Sequence, residues 1–166
     1  MVLIPVVLSC NRKKENSLTE SQIREATDAM VGANRLLLKK DKEEIIHYID
    51  SMNLALKESE TGLWFQILKP GSGPKVVEGS EVTLDYTVSL LDGKICYSSD
   101  FSGPKQFIAG QGGVENGLDE GVRLLSEGGE AIFILPPHLA HGLMGDGNCI
   151  PARSVIVYKI KLTKVQ

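Results

Sequence analysis

The stretch Val82-Thr83-Leu84-Asp85-Tyr86-Thr87-Val88-Ser89-Leu90 alternates without a fault. Val82, Leu84, Tyr86, Val88 and Leu90 fall on one face, and Thr83, Asp85, Thr87 and Ser89 on the other. A period of two places successive side chains on opposite faces of a strand, and a helix would scatter the same residues around its circumference. The segment is therefore a strand with one face on a core, and it needs partners. Asp92-Gly93 follows as a hairpin signal, with Ile95 to Ser99 returning. Leu63, Phe65 and Ile67 alternate before Pro70-Gly71-Ser72-Gly73-Pro74 breaks the chain, and Phe107-Ile108 reads as a short strand. Ala131 to Leu135 is a continuous apolar run stopped by Pro136-Pro137, as expected of a buried strand. Ser154 to Val165 closes the chain with Ile156, Tyr158, Ile160 and Leu162 on one face.

Only one short helix is predicted among these strands. Asn116 is placed to cap it, Leu118, Val122 and Leu125 point inward, and Gly128-Gly129 ends it. Residues 138–153 form a long Gly-bearing loop, a length that is often functional. The predicted fold class is α+β, an antiparallel sheet wrapped around a short helix.

Residues 17–53 read differently. Ile23, Ala26, Met30, Ala33 and Leu37 recur at three- and four-residue steps, with Thr19 and Gln22 in a capping-box pattern. Asp41 to Glu44 repeats the start signal, and Ile45, Ile49 and Met52 form a second stripe. Lys39-Lys40 would then sit in a last turn, where the helix dipole favours them. The spacing predicts two helices packed as a hairpin, a docking or dimerisation element separate from the β-rich core. Of the 17 glycines only Gly32 and Gly62 precede position 70, which agrees with two regions of different character.

The N-terminus, Met-Val-Leu-Ile-Pro-Val-Val-Leu-Ser-Cys, is apolar up to Leu8 and then small up to Cys10, with a polar tether after it. It resembles the end of a bacterial lipoprotein signal, with Cys10 as the lipidated residue. The expected organisation is residues 1–16 as signal remnant and tether, 17–53 as helical hairpin and 54–166 as the β-rich domain.

Composition removes several classes of function. A formal net charge of −3 advertises no nucleic-acid surface, and no apolar run is long enough to span a bilayer. Gly110-Gln111-Gly112-Gly113 lacks the Gly-Lys-Ser/Thr of a phosphate loop, and no nucleophile elbow is present. His138 and His141, with Asp146 and Cys149, make only a weak metal pattern, so no metal or cofactor is expected.

An ordered set of segments carries a resemblance. Gly62-Leu63-Trp64-Phe65, Lys69 to Gly73, Val82 to Thr87, Leu91-Asp92-Gly93, Ser98-Ser99, Gly117 to Val122, Ile134 to Pro137 and Ile150-Pro151 occur in that sequence. Residues 54–166 resemble the FKBP family of peptidyl-prolyl cis-trans isomerases. The helical region ahead of them is similar to that of envelope FKBP lipoproteins of the Bacteroidetes type, including those linked to gliding motility.

The resemblance implies a groove that favours a twisted X-Pro amide. Unaided rotation crosses a barrier of about 18–20 kcal/mol and needs no nucleophile, metal or proton relay. It implies pocket roles for Tyr86, Phe107, Val114, Leu118, Ile150 and Tyr158. The backbone N–H of Glu115 would hold a substrate carbonyl. His141 stands where the family's loop Tyr donates a hydrogen bond. Cys96-Tyr97 replaces a Phe-Asp pair at the pocket mouth, and Lys105 replaces a wall aromatic. Cys96 and Cys149 are positions that approach each other in the family, so they are expected either as a disulfide or as two reduced thiols.

Two functions remain. One is an isomerase assisting the folding of exported proteins, with proline-containing segments as partners, lipid-anchored at the periplasmic face of the envelope and more in keeping with the outer membrane than the inner. The other is a weakly active or non-catalytic binding subunit of an outer-membrane secretion or assembly complex, engaged through helices 19–53.

Overall fold

The computed structural model describes residues 19–166. The apolar run at the N-terminus and the expected lipidation of Cys10 lie outside the described residues.

One continuous helix, α1 (Glu20–Ser51), stands where the hairpin is predicted. Its start agrees with the sequence. The Thr19 N–H donates to Gln22 Oε1 at 2.9 Å, and the Gln22 N–H donates to Thr19 Oγ1 at 3.4 Å. The second cap does not form. The segment Leu37 to Glu44 holds neither Gly nor Pro, and Leu, Lys and Glu all favour helix. Lys39–Glu43 and Lys40–Glu44 ion pairs, both 3.7 Å at i,i+4, run across the expected break. Asp41 is buried and bound by Arg153 instead of capping a helix.

The chain divides into two compact units, Met1–Leu37 and Leu38–Gln166, with the boundary inside α1. In the first, the described residues 19–36 are all exposed, Ile23, Met30, Val31 and Leu36 among them.

In the second unit the strands are β1 (Lys57–Glu58), β2 (Trp64–Lys69), β3 (Glu81–Leu90), β4 (Ile95–Ser98), β5 (Lys105–Ile108), β6 (Glu130–Leu135) and β7 (Ile156–Val165). Two short helices, α2 (Ser99–Ser102) and α3 (Asn116–Val122), lie between them. The sheet is antiparallel with order β1-β2-β6-β7-β3-β4. β3 meets β4 through Thr87–Ser89 and β5 through Glu81–Leu84, so two short strands share one of its edges.

The sheet has apolar side chains on both faces. Ala131, Phe133, Leu135, Ile156, Tyr158, Ile160 and Leu162 join Val82, Leu84 and Val88 in the main core against α3. Ile132, Ile134, Val155 and Val157 face the other way and are covered by Ile45 and Ile49 of α1. This explains why Ala131–Leu135 is apolar at every position: a strand covered on both faces has no solvent side. The second half of α1 thus completes a core of the β-rich unit, and the expected separation at residue 53 gives way to a boundary at residue 37.

Helix α3 packs closely on β6. A Cβ on Gly117 would lie 2.6 Å from Leu135 Cγ, and one on Gly121 would lie 2.6 Å from Phe133 Cε2. Leu118, Val122 and Leu125 are buried as expected. The N-cap position is Glu115, without a side-chain cap bond, and Asn116 is the first helical residue. The helix ends at Val122, so the positive φ of Gly128 (80°) serves the turn into β6 and not a helix terminus.

Candidate active site

The pocket residues come from five elements that the fold brings to one place. Tyr86 sits on β3 and Tyr158 on β7. Val88 is the register partner of Tyr158, and Ile160 that of Tyr86, so the two tyrosines are diagonal neighbours on one face. Their ring centroids are 6.2 Å apart at an interplanar angle of 40°. Lys105 and Phe107 alternate on β5 opposite Leu84 and Val82, which directs both toward the same core face. Val114 and Glu115 lead into α3, whose Leu118 is fully buried. The loop after β6 brings His141 and the buried Ile150. Phe107, Leu118, Ile150 and Tyr158 belong to the main core, with Tyr86, Cys96, Tyr97 and Val114 packed against it. Direct contacts join Tyr86, Lys105, Glu115, Tyr158 and His141, while Phe107, Leu118 and Ile150 lie in the adjoining core with Val114 packed against it.

What fills the pocket differs from the apolar groove the resemblance implies. The Lys105 ammonium lies 5.1 Å from the Tyr86 ring centroid and 5.5 Å from that of Tyr158, within cation–π range of both. It donates to the Tyr158 hydroxyl at 3.0 Å and stands 3.5 Å from Glu115 Oε2. The Tyr158 hydroxyl donates to Glu115 Oε1 at 2.8 Å, and His141 Nε2 is 3.1 Å from the same oxygen. A four-residue polar network thus occupies the site. Lys105, Gly113, Val114, Glu115, Ala140 and His141 line the remaining groove of about 480 Å³. By the resemblance Lys105 is a lost wall and Glu115 a backbone donor. Their side chains pair, and only their separate substitutions of apolar positions hinted at it.

Burial alone pushes the Glu115 carboxyl up, but the Lys105 charge, backbone hydrogen bonding, the Tyr158 hydroxyl and His141 carry it below its ordinary 4.5. Burial, reinforced by the Glu115 charge, pushes the Tyr158 hydroxyl well above the ordinary tyrosine value. A carboxyl whose folded value is depressed adds stability above its unfolded value and loses it as pH falls through the folded one. The melting temperature is therefore expected to drop as pH is lowered below 4.5. Glu115→Gln should reduce that drop, as measured by thermal melts between pH 6 and pH 3; an identical profile in the variant would remove Glu115 from the cause.

The pocket mouth is tied shut on one side. Cys96 and Cys149 form a disulfide with Cα atoms 5.5 Å apart, so the paired alternative holds and the reduced one does not. Beside it the Tyr97 hydroxyl donates to the Asp146 carboxylate and accepts from Asn148 Nδ2 at 3.3 Å. Asp146 Oδ1 accepts the N–H groups of Asn148 at 2.9 Å and Ile150 at 2.8 Å. Burial works against the Asp146 charge, but these donors outweigh it and hold its carboxyl below the usual range, while Asp146 pushes the Tyr97 hydroxyl up. Asp146 is thus the brace of the loop that positions Ile150, a role the sequence pattern left among weak metal ligands. The other members of that pattern are engaged elsewhere: Cys149 in the disulfide, and His138 Nε2 at 3.0 Å from the Thr61 carbonyl.

The model of the FKBP-type peptidyl-prolyl cis-trans isomerases matches residues 73–163. The chain belongs to this family. A probable FKBP-type peptidyl-prolyl cis-trans isomerase FkpA of Neisseria meningitidis is 35% identical over 127 residues, covering 76% of this chain and 46% of the relative. The peptidyl-prolyl cis-trans isomerase Fkbp12 of Drosophila melanogaster is 40% identical over 103 residues, covering 60% of this chain and 94% of the relative. The crystal structure of FkpA from Escherichia coli superposes with a TM-score of 0.65 at 26% identity, covering 90% of this chain and 74% of that one. The chain spans about half the length of the curated FkpA relatives that cover it most fully. The predicted α+β class and the antiparallel sheet around a short helix are those of the FKBP fold, preceded by one long helix. Phe107 and Ile150 lie in the main core, and Tyr86 and Val114 pack against it. The Lys105–Glu115–Tyr158–His141 network is where the FKBP pattern is replaced.

Proposed function

We propose that the chain is a peptidyl-prolyl cis-trans isomerase acting on X-Pro bonds of exported proteins. The observation that supports this reading is a groove lined by Val114, Glu115 and His141 above a core that holds Phe107, Leu118, Ile150 and Tyr158, with Tyr86 packed against it. A twisted amide has lost resonance, is less polar than the planar one, and is favoured by aromatic and aliphatic walls that exclude water. The Glu115 N–H and the His141 imidazole are the donors offered to substrate carbonyls.

The proposed setting is the periplasmic face of the envelope, with a lipid anchor at Cys10 and the outer membrane favoured, as in the gliding-associated lipoproteins. The disulfide suits an oxidising compartment. No helix among the described residues is long and apolar enough to cross a membrane. The exposed stripe of α1 is the surface proposed for docking on envelope partners.

A second reading has its own observation. Leu118 and Tyr158 are fully buried, and Lys105 lies over the Tyr158 ring. A proline ring must displace that ammonium to reach them, which favours a slow isomerase or a binding subunit. Exchange NMR on a short proline peptide tests both. Broadening of the cis and trans signals at substoichiometric protein is expected for the enzyme. Chemical-shift changes without exchange would establish the binding subunit and overturn the enzyme.

A further inference from the structure

Lys105 and Glu115 present themselves unequally to a ligand. The Glu115 side chain is 10% exposed and its Oε2 is buried without a hydrogen-bond partner among the described residues. His141 Nε2 is likewise buried without one. The Lys105 side chain is 24% exposed and lines the groove. An ammonium has three donors, and the Tyr158 hydroxyl takes one of them. The ion pair with Glu115, at 3.5 Å, supplies no second hydrogen bond. A ligand entering the groove therefore meets the more exposed Lys105 ammonium, beside the more deeply buried Glu115 carboxylate that the Tyr158 hydroxyl holds.

We propose that Lys105 is a specificity-determining residue that selects substrates whose residue preceding the proline carries a carboxylate side chain. The inference rests on the isomerase reading for the word substrate, and on the geometry alone for the preference. The X residue of the rotating X-Pro bond lies next to the proline ring, and Lys105 stands over Tyr86 and Tyr158, the two tyrosines that the family resemblance assigns to the ring's site. A carboxylate there accepts a charge-assisted hydrogen bond from the ammonium in place of water and draws it off the tyrosine faces, opening the pocket. A bulky apolar X residue leaves Lys105 in place, desolvated and in the way. A charge-assisted hydrogen bond is worth more than a neutral one, so the discrimination is large enough to measure.

The test uses the full chain and two acetylated, C-terminally amidated tetrapeptides, Ala-Glu-Pro-Phe and Ala-Leu-Pro-Phe, so that the side chain is the only carboxylate. Affinity from chemical-shift titration and exchange rate are measured together. The Glu peptide is expected to bind about fivefold tighter or better. Lys105→Met should bring the ratio to about one, and Lys105→Arg should retain part of the preference. Raising salt should shrink the wild-type ratio, which tests the electrostatic origin of the preference even where a variant fails to fold; a ratio unchanged by salt would overturn it. Equal or tighter binding of the Leu peptide by the wild type, or a preference unchanged in a folded Lys105→Met protein, would overturn the proposal. A Glu peptide carrying a free C-terminal carboxylate serves as an added arm. If that terminus, and not the side chain, confers the preference, the assignment to the preceding residue is wrong. Preference without exchange would refute the isomerase and keep the inference; exchange without preference would do the reverse.

Discussion

Replacing Cys96 and Cys149 together by alanine is expected to give the largest loss of stability of any change confined to the pocket. The bridge spans 53 residues. A loop of that length, closed in the unfolded chain, corresponds to about 4 kcal/mol on the chain-entropy estimate. The functional consequence follows from where the bridge sits. It joins β4 to the loop that carries His141 and Ile150, and Asp146 braces the same loop through Tyr97 and two backbone N–H groups. Without the covalent tie, the brace must hold the loop alone. Proline-peptide affinity should fall in the double variant, and reductant should lower the wild-type melting temperature but leave that of the variant unchanged. A wild-type melt indifferent to reductant, with the bridge shown to be open by alkylation, would show that the disulfide contributes nothing.

Arg153→Met is expected to be nearly as damaging although it lies outside the pocket. Arg153 Nη2 donates to both carboxylate oxygens of Asp41, at 2.6 and 2.8 Å, and the Asp41 side chain is only 8% exposed. Removing one partner of a buried pair leaves the other charge desolvated, at a cost of about 3–5 kcal/mol. For a chain of this size that lowers the melting temperature by on the order of 10 °C. The double variant Asp41→Leu with Arg153→Met should recover much of the loss, because no charge is then buried. Calorimetric melts of the three variants measure this; an additive double variant would mean that the two residues do not act as a pair. The same contact engages the Asp41 carboxylate that the sequence pattern offered as a second cap.

The parts of this protein that the sequence determined are those governed by local period and turn chemistry. The alternation of Val82–Leu90 specified β3 and its buried face, because a strand has no other way to segregate those side chains. The Thr19–Gln22 pair marked the start of α1, and Pro136-Pro137 marked the end of β6. The tertiary structure decided what depended on residues far apart in the chain. The partner of the Asp41 carboxylate is Arg153, 112 residues away, and where the β-rich unit began turned on Ile45 and Ile49 covering the second face of the sheet. In the pocket, read singly, Lys105 looks like the loss of a wall aromatic and Glu115 like a backbone donor whose side chain is incidental. Only the fold brings them together over Tyr86 and Tyr158, because pairing energy depends on distance, burial and shared hydrogen bonds, none of which a linear spacing of ten residues specifies.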